Sequence, residues 1–466
     1  MSETNTSGSG LLYGLHDKPP APAAFLAALQ HMLASFVGII TPTLIIGGVL
    51  GLGSEIPYLI SMALIVSGVG TFIQARKFGP VGSGMMALQG TSFAFLGSIL
   101  AAGFIAKAKG GGPDEILSLI FGVCFFGAFI EIFLSRFIHK LKTFINPLVT
   151  GIVITTIGFY LIKVGMTDLA GGFKAPDFGS LENLALGGSV LLLIIILNQS
   201  SNPYVRSGAI FFGLMAGFIA SIFLGKVDFS KLNDMSWIAI PMPFKYGFSF
   251  DFEAFIPVAL IYLITVIESS GDLTATSLVS KQPIDGEIYR DRIKGGVLAD
   301  GINSMLAATF NTFPNTTYSQ NNGVIQLTGI ASRYVAFWVA GLLVLLGLFP
   351  VIGGIFQQLP KPVLGGATLV MFGTVAAAGI RILATLDLDR RTMLIMAVSF
   401  GFGLGVAMVP DLLKEMPKLV QNIFGSAVTV SGLIAITLNT LLPYDKVAEA
   451  EVADPEVMPE AAKAAS

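Results

Sequence analysis

The chain has 466 residues, of which 53% are hydrophobic and only 12% charged, and its mean hydropathy is +0.78. Soluble proteins carry about 25% charged residues, whereas here the charges cluster between apolar runs of about 20 residues, enough to cross a ~30 Å hydrocarbon core. The net charge of −2 gives no basic surface for nucleic acid, and the single cysteine, Cys124, excludes a disulfide framework.

In chain order, residues 1–10 are polar and lack the basic and apolar regions of a signal peptide. Apolar runs follow at 24–50, 56–74, 116–134, 147–164, 184–197, 209–224, 254–267, 297–313, 334–356, 364–383, 393–409 and 423–442. Two further stretches are polar at their centres. One, 85–104, contains Gln89, Gly90, Thr91 and Ser92; the other, 316–332, contains Gln320, Asn321, Asn322 and Gln326. If both cross, there are 14 spans. A cytoplasmic N-terminus then places all nine arginines (76, 136, 206, 290, 292, 333, 381, 390 and 391) in the cytoplasm. Removing either crossing moves several of them to the wrong side, against the positive-inside bias. The expected fold is an all-α polytopic membrane protein of 14 spans, both termini cytoplasmic, with membrane lipid as its surroundings.

Spans with polar centres cannot face lipid, because irregular backbone at membrane depth needs protein or a watery cavity around it. Pro80 precedes the first polar centre and Pro314 the second. Each reads as an extended stretch leading into a half-helix. They would be the third span of each set of seven, and paired interrupted spans point to a transporter site. Pro147, Gly151 and Gly158 of the fifth span recur as Pro362, Gly366 and Gly373 of the twelfth, at a constant spacing. With seven spans per half, the repeats must be inverted, giving a 7+7 plan.

Ionisable groups inside spans are functional candidates, since each costs about 2.5–3.5 kcal/mol on insertion scales. His31 lies in the first span, Glu268 and Asp272 in the eighth, and Asp300 in the ninth. The four-residue spacing puts Glu268 and Asp272 on one helical face. Glu131, five residues before Arg136, is expected to pair with it at the interface. A membrane carboxylate beside a glutamine amide, which offers one acceptor and two donors, suits a planar heterocycle bearing N–H and C=O groups. It would repel an inorganic anion. With no GxxxxGK[ST] phosphate loop, transport would be secondary; the carboxylates and His31 favour protons, with sodium as the alternative. Three scattered histidines (16, 31 and 139) and one cysteine supply no catalytic or metal constellation, so neither enzyme activity, metal nor cofactor is expected.

The stretch Gln320-Asn321-Asn322-Gly323-Val324-Ile325-Gln326-Leu327-Thr328-Gly329 resembles the signature of the nucleobase–ascorbate transporter family. So do its flanks, Asn311–Asn315 and Ala331–Val335, together with Gln89–Phe93 and Glu268–Thr276. The likeness runs from His31 to about Pro443 and is nearest to bacterial xanthine and uric acid permeases. It implies a core domain (residues 22–140 and 251–357), a gate domain (141–250 and 358–443), and cytoplasmic tails (1–21 and 444–466). It also implies short strands in spans 3 and 10, a homodimer in the bacterial inner membrane, elevator-like movement, and proton-driven purine uptake. Glu268 and Gln320 would hydrogen-bond the purine, Phe93 would contact it, and Asn321 would support the site. Asp272, Asp300 and His31 would form the surrounding polar network. Gln320, where uracil-type members carry Glu, favours xanthine or urate. Ser92, small where some xanthine-selective relatives have Asn, leaves room for the C8 oxygen of urate. Ala336 departs from the Gly common in relatives and bears on packing rather than chemistry. A uracil permease is the runner-up, and a sulfate-type anion carrier of the same plan is less favoured.

Overall fold

Proline sets where many of the helices begin, because in a first helical turn its missing N–H costs nothing. A computed structural model of the protein describes residues 11–138, 146–232 and 237–443. The tail 444–466, expected from the sequence to be cytoplasmic, lies outside the described residues, as do residues 1–10 and His139. The first half contains α1 (Ala21–Leu50), α2 (Ile56–Arg76), β1 (Gln89–Thr91), α3 (Leu96–Ala108), α4 (Pro113–Ser135), α5 (Pro147–Leu169), α6 (Leu181–Asn198), α7 (Pro203–Ser207) and α8 (Ala209–Phe223). The second contains α9 (Phe252–Val279), α10 (Gly286–Thr309), β2 (Asn315–Thr317), α11 (Gln320–Thr328), α12 (Arg333–Gly347), α13 (Pro350–Gln357), α14 (Lys361–Leu383), α15 (Arg390–Met408), α16 (Lys418–Phe424) and α17 (Ala427–Leu441). Where proline is absent from the first turn, side-chain caps take over: Asp251 accepts from Ala254 N, Asp389 from Thr392 N and Ser426 from Thr429 N.

Among the described residues, eight helices are long and apolar enough to cross a membrane, or up to ten if each of two bent pairs is one span. Several of the apolar runs take a form other than one straight helix. The run 334–356 is not one straight helix: α12 and α13 meet at 76°, because Pro350 cannot donate to the preceding turn and Phe349 turns extended. The run 423–442 starts inside α16, which meets α17 at 78° across Gly425 and Ser426. α10 begins at Gly286, well before Val297, and carries Glu287, Arg290, Asp291, Arg292 and Lys294 in its first half. α3 and α8 are shorter apolar helices of 13 and 15 residues.

Two large apolar clusters hold the helices together. One gathers Ile120, Phe121 and Val123 of α4 with Ile261 and Tyr262 of α9 and Val149 and Ile152 of α5. The other gathers Phe36 of α1, Ile60 of α2, Val335 and Val339 of α12, and Val190 and Leu364 of α6 and α14. α5 and α14 run so close that a Cβ on Gly158 would stand 2.3 Å from Ala376 N, and one on Gly379 2.4 Å from Thr155 N. Glycine is thus required at that crossing.

The strands β1 and β2 pair antiparallel, Gln89 opposite Thr317, Gly90 opposite Thr316 and Thr91 opposite Asn315. Tyr318 N donates to Leu88 O (2.9 Å) and Ser92 N to Pro314 O (2.8 Å), extending the ladder at both ends. The Tyr318 ring crosses this ribbon and donates its hydroxyl to Thr91 O at 2.8 Å. A Cβ on Gly90 would lie 2.4 Å from that ring, so any side chain there would displace it.

The connection between α8 and α9 is strapped across the ends of other elements. Ala239 N donates to Leu348 O, Phe244 N to Thr309 O and Ser249 N to Ser118 O. Lys245 Nζ lies 3.0 Å from Glu55 Oε2 and 4.1 Å from the centre of the Tyr58 ring. Burial pushes the Glu55 carboxyl up, but hydrogen bonds from Tyr246 and Lys245 outweigh it and leave the group below its ordinary value. A lowered folded-state value means that the clasp stabilises above the ordinary carboxylate range and is lost as acid carries the pH through the lowered one. Glu55→Gln is therefore expected to flatten the acid limb of thermal stability in detergent, with no change in its slope near neutrality.

Candidate functional site

The ribbon delivers two half-helices, α3 and α11, whose first residues face the interior of the protein. Gln320 is the first residue of α11 and is half-buried; Asn321 and Asn322 follow it into the core. Asn321 Nδ2 stands 3.0 Å from His31 Nδ1 and donates to His31 O at 3.2 Å. An amide N–H directed at Nδ1 makes that nitrogen the acceptor and puts the ring proton on Nε2, which has no hydrogen-bond partner. Asn322 Oδ1 accepts from Thr276 Oγ1 of α9 at 2.9 Å. α11 is thus tied to α1 on one side and α9 on the other. Its far end is capped by Gly329 in the left-handed conformation (φ 68°), and Leu12 and Tyr13 of the N-terminal segment donate to Gly329 O.

Asp300 of α10 is the hub of a second network. Its Oδ1 accepts from Gln74 Nε2 at 2.7 Å, and its Oδ2 accepts from Ser269 Oγ and from Thr317 Oγ1 at 3.1 Å. Gln89 Nε2 donates to Thr317 Oγ1 at 3.0 Å, and Asn303 Nδ2 donates to Gln89 Oε1 at 3.2 Å. The completely buried Asp300 therefore joins α2, α9, α10 and the ribbon. Sequence reasoning missed Gln74, Asn303 and Thr317. A signal existed for Asn303, three residues after Asp300 on the same helical face; Gln74 sits just before Arg76 and reads from sequence as the polar end of a span.

A cavity of about 680 Å³ opens between α9–α11 and the α5–α14 pair, lined by Asp272, Gln320, Asn322, Thr150, Thr374 and Arg381 among others. That volume falls in the usual range for small-molecule sites. The expected site residues divide around it. Asp272 and Gln320 line it together. Glu268, one helical turn before Asp272, is half-buried just beyond it, with one carboxylate oxygen lacking a partner. Phe93 packs edge-on against Phe372 of α14, with centroids 5.3 Å apart, and Ser92 is buried with its hydroxyl unpartnered. His31, Asp272 and Asp300 do not bond to one another: His31 serves Asn321, Asp300 braces the ribbon and Asp272 faces the cavity.

Glu131 requires a correction. It does not pair with Arg136 at an interface; it is 1% exposed, and neither carboxylate oxygen has a hydrogen-bond partner. The α4–α10 contact carries it inward, away from the helix end that sequence spacing suggests.

Long apolar helices, broken helices and a cavity that sets Asp272, Gln320 and Arg381 among apolar walls beside one of the two half-helices define a multi-pass membrane transporter. The similarities agree. A family model described as a permease family, Xan_ur_permease, matches residues 22–412. The chain is 47% identical to the xanthine permease XanQ of Escherichia coli K12 over 95% of its length and 96% of the relative. It is 45% identical to the xanthine permease XanP of the same strain, again over 95% and 96%. To the nucleobase transporter PlUacP of Paenibacillus larvae it is 36% identical, over 88% and 93%. The protein belongs to this permease family, the nucleobase–ascorbate transporters that its signature resembles. Among solved structures, murine Slc26a9 in an inward-facing state aligns with a TM-score of 0.62 at 12% identity, covering 91% of this chain and 68% of the other. The transmembrane domain of the cyanobacterial bicarbonate transporter BicA aligns at 0.55 and 16%, covering 88% and 99%. At such identities the likeness is one of fold.

Proposed function

We propose that this chain imports purines, xanthine foremost and uric acid as a second substrate, by proton symport across the bacterial inner membrane. The observation that carries the reading is the meeting of Gln320 of α11 with Asp272 of α9, one helical turn from Glu268, at a cavity of purine-compatible size. Glu268 and Asp272 offer acceptors to ring N–H groups, and the Gln320 amide offers both donor and acceptor to a ring N–H/C=O edge. Phe93 supplies an aromatic wall, Ser92 leaves room beside it, and Asn321, Asp300 and His31 hold the frame. The match to two xanthine permeases supports the substrate class.

On this reading the chain crosses 14 times as two inverted repeats of seven, with β1 and β2 inside spans 3 and 10. Pairing of the two strands across a local dyad at Gly90 and Thr316 supports that plan. The core (22–140 and 251–357) would carry the purine past a gate (141–250 and 358–443) in a homodimer, with both tails cytoplasmic. Phe93 of the core resting on Phe372 of the gate is the contact that such a movement would have to break.

The test is uptake of radiolabelled xanthine into cells producing the chain, with and without a protonophore, against unlabelled urate, uracil and sulfate. Protonophore-sensitive uptake blocked by urate but not by uracil or sulfate supports the proposal. Absent uptake from well-inserted protein refutes the substrate, and uptake indifferent to the protonophore refutes the coupling. Gln320→Glu exchanges two N–H donors for an acceptor and should weaken xanthine uptake about tenfold or more, the loss of a hydrogen bond to a ligand with like groups left facing; unchanged apparent affinity would remove the amide from the contact.

A further inference from the structure

Among the described residues, two buried carboxyls lie outside the purine site: Asp168 is paired with Lys361, whereas Glu131 has no partner. α4 reaches it because α10 has no side chain at the crossing. A Cβ on Gly301 would fall 2.8 Å from Ile132 Cγ1, 3.0 Å from Ile132 N and 3.3 Å from Glu131 Cβ. The Glu131 backbone therefore lies against the residue that follows Asp300. The groups facing its carboxyl are acidic or neutral. From α10 comes Asp300 and from α9 Glu268, both within reach of its charge. Tyr262 of α9 is also close, its hydroxyl committed to Cys124 O at 2.9 Å. Among the described residues no lysine or arginine of α3, α9 or α10 forms an ion pair with it, and neither does Arg136, which follows its own helix.

Two carboxyls on opposite sides of one helix contact thus sit in opposite environments. Asp300 receives donors from Gln74, Ser269 and Thr317, which is how a buried negative charge is accommodated. Glu131 receives none. A buried carboxylate without donors or a cation is the costly case, and the group avoids it by keeping its proton. Neighbouring titratable groups in contrasting surroundings mark an acid and its counterpart.

We propose that Glu131 is a proton-holding group of the transport cycle, coupled to Asp300 across the α4–α10 contact. The step is a simple one: the Glu131 O–H bond breaks, the proton leaves to water, and the carboxylate left behind repels the charges of Asp300 and Glu268. Protons then leave the cluster in steps that belong to the group rather than to any one residue. This inference rests on the proton-symport reading.

The experiment is the pH profile of xanthine uptake for the wild type, Glu131→Gln and Glu131→Asp, each normalised to its amount in the membrane. Glutamine cannot ionise, so it spares the neighbouring carboxyls a like charge; they then give up their protons more readily, and the alkaline limb of its profile should move down by about one pH unit. Aspartate should retain a limb, displaced from the wild-type position. A Glu131→Gln profile that overlays the wild type, or one lowered equally at every pH, overturns the proposal by reducing Glu131 to a packing residue. Should Glu131→Gln fail to reach the membrane, Glu131→Asp decides: a displaced limb supports the proposal and an unmoved one overturns it. A wild-type profile flat in pH and indifferent to protonophore overturns the symport reading itself, and the wild type alone reveals that.

Discussion

Replacing Glu268 with glutamine is expected to abolish accumulation of xanthine while leaving the amount of protein in the membrane unchanged. The change keeps size and shape, so the apolar packing around α9 is preserved. It removes the charge from the acceptor proposed for the ligand, and hydrogen bonds to charged groups contribute about 1.5–3 kcal/mol, a factor of about ten to a hundred and fifty in affinity. Glu268 is half-buried with one oxygen lacking a partner, and among the described residues no side chain is seen donating to it, so neutralising it orphans no donor elsewhere. Uptake and xanthine protection against thermal inactivation should fall together. Wild-type uptake by Glu268→Gln would take this residue out of the site, whatever the substrate.

The second large effect is expected at Asp300, where the loss is structural. Gln74, Ser269 and Thr317 all donate to its carboxylate in a region without exposure. Asp300→Ala strands these donors, at about 1–3 kcal/mol for each one left unsatisfied. It also releases β2 from α9 and α2. The variant should accumulate poorly and lose its structure at a lower temperature in detergent. Asp300→Asn, which retains one carbonyl oxygen but points an N–H at a donor, should fall between it and the wild type. A variant as stable as the wild type would show that the ribbon stands without its brace.

Residues that announce themselves locally were legible from sequence. Pro80 and Pro314 ahead of polar runs foretold extended chain giving way to half-helices, and the Glu268–Asp272 spacing foretold a shared face. Asp300 was recognised as buried, but its partners were not, since Gln74 lies 226 residues away and only folding brings them together. Glu131 was misread for the same reason. Its neighbour in sequence is Arg136, whereas its neighbour in space is Gly301, and the missing side chain of a glycine on another helix is what draws it inward. The breaks at Phe349–Pro350 and Gly425–Ser426 carried local signals, a proline and a glycine–serine pair, which continuous hydropathy concealed.

The β1–β2 ribbon also constrains the order of synthesis. Gln89 and Thr317 are 228 residues apart, so β1 leaves the ribosome long before its partner exists. At about 5–20 residues per second, the delay is on the order of ten seconds or more. Throughout it, a stretch of extended backbone with unpaired N–H and C=O groups cannot rest in hydrocarbon. The segment around Gln89–Thr91 must therefore stay with water or the insertion machinery until Asn315–Thr317 arrives. Nascent chains arrested before Asn315 should leave Gln89–Thr91 open to aqueous reagents that no longer reach it in the finished protein.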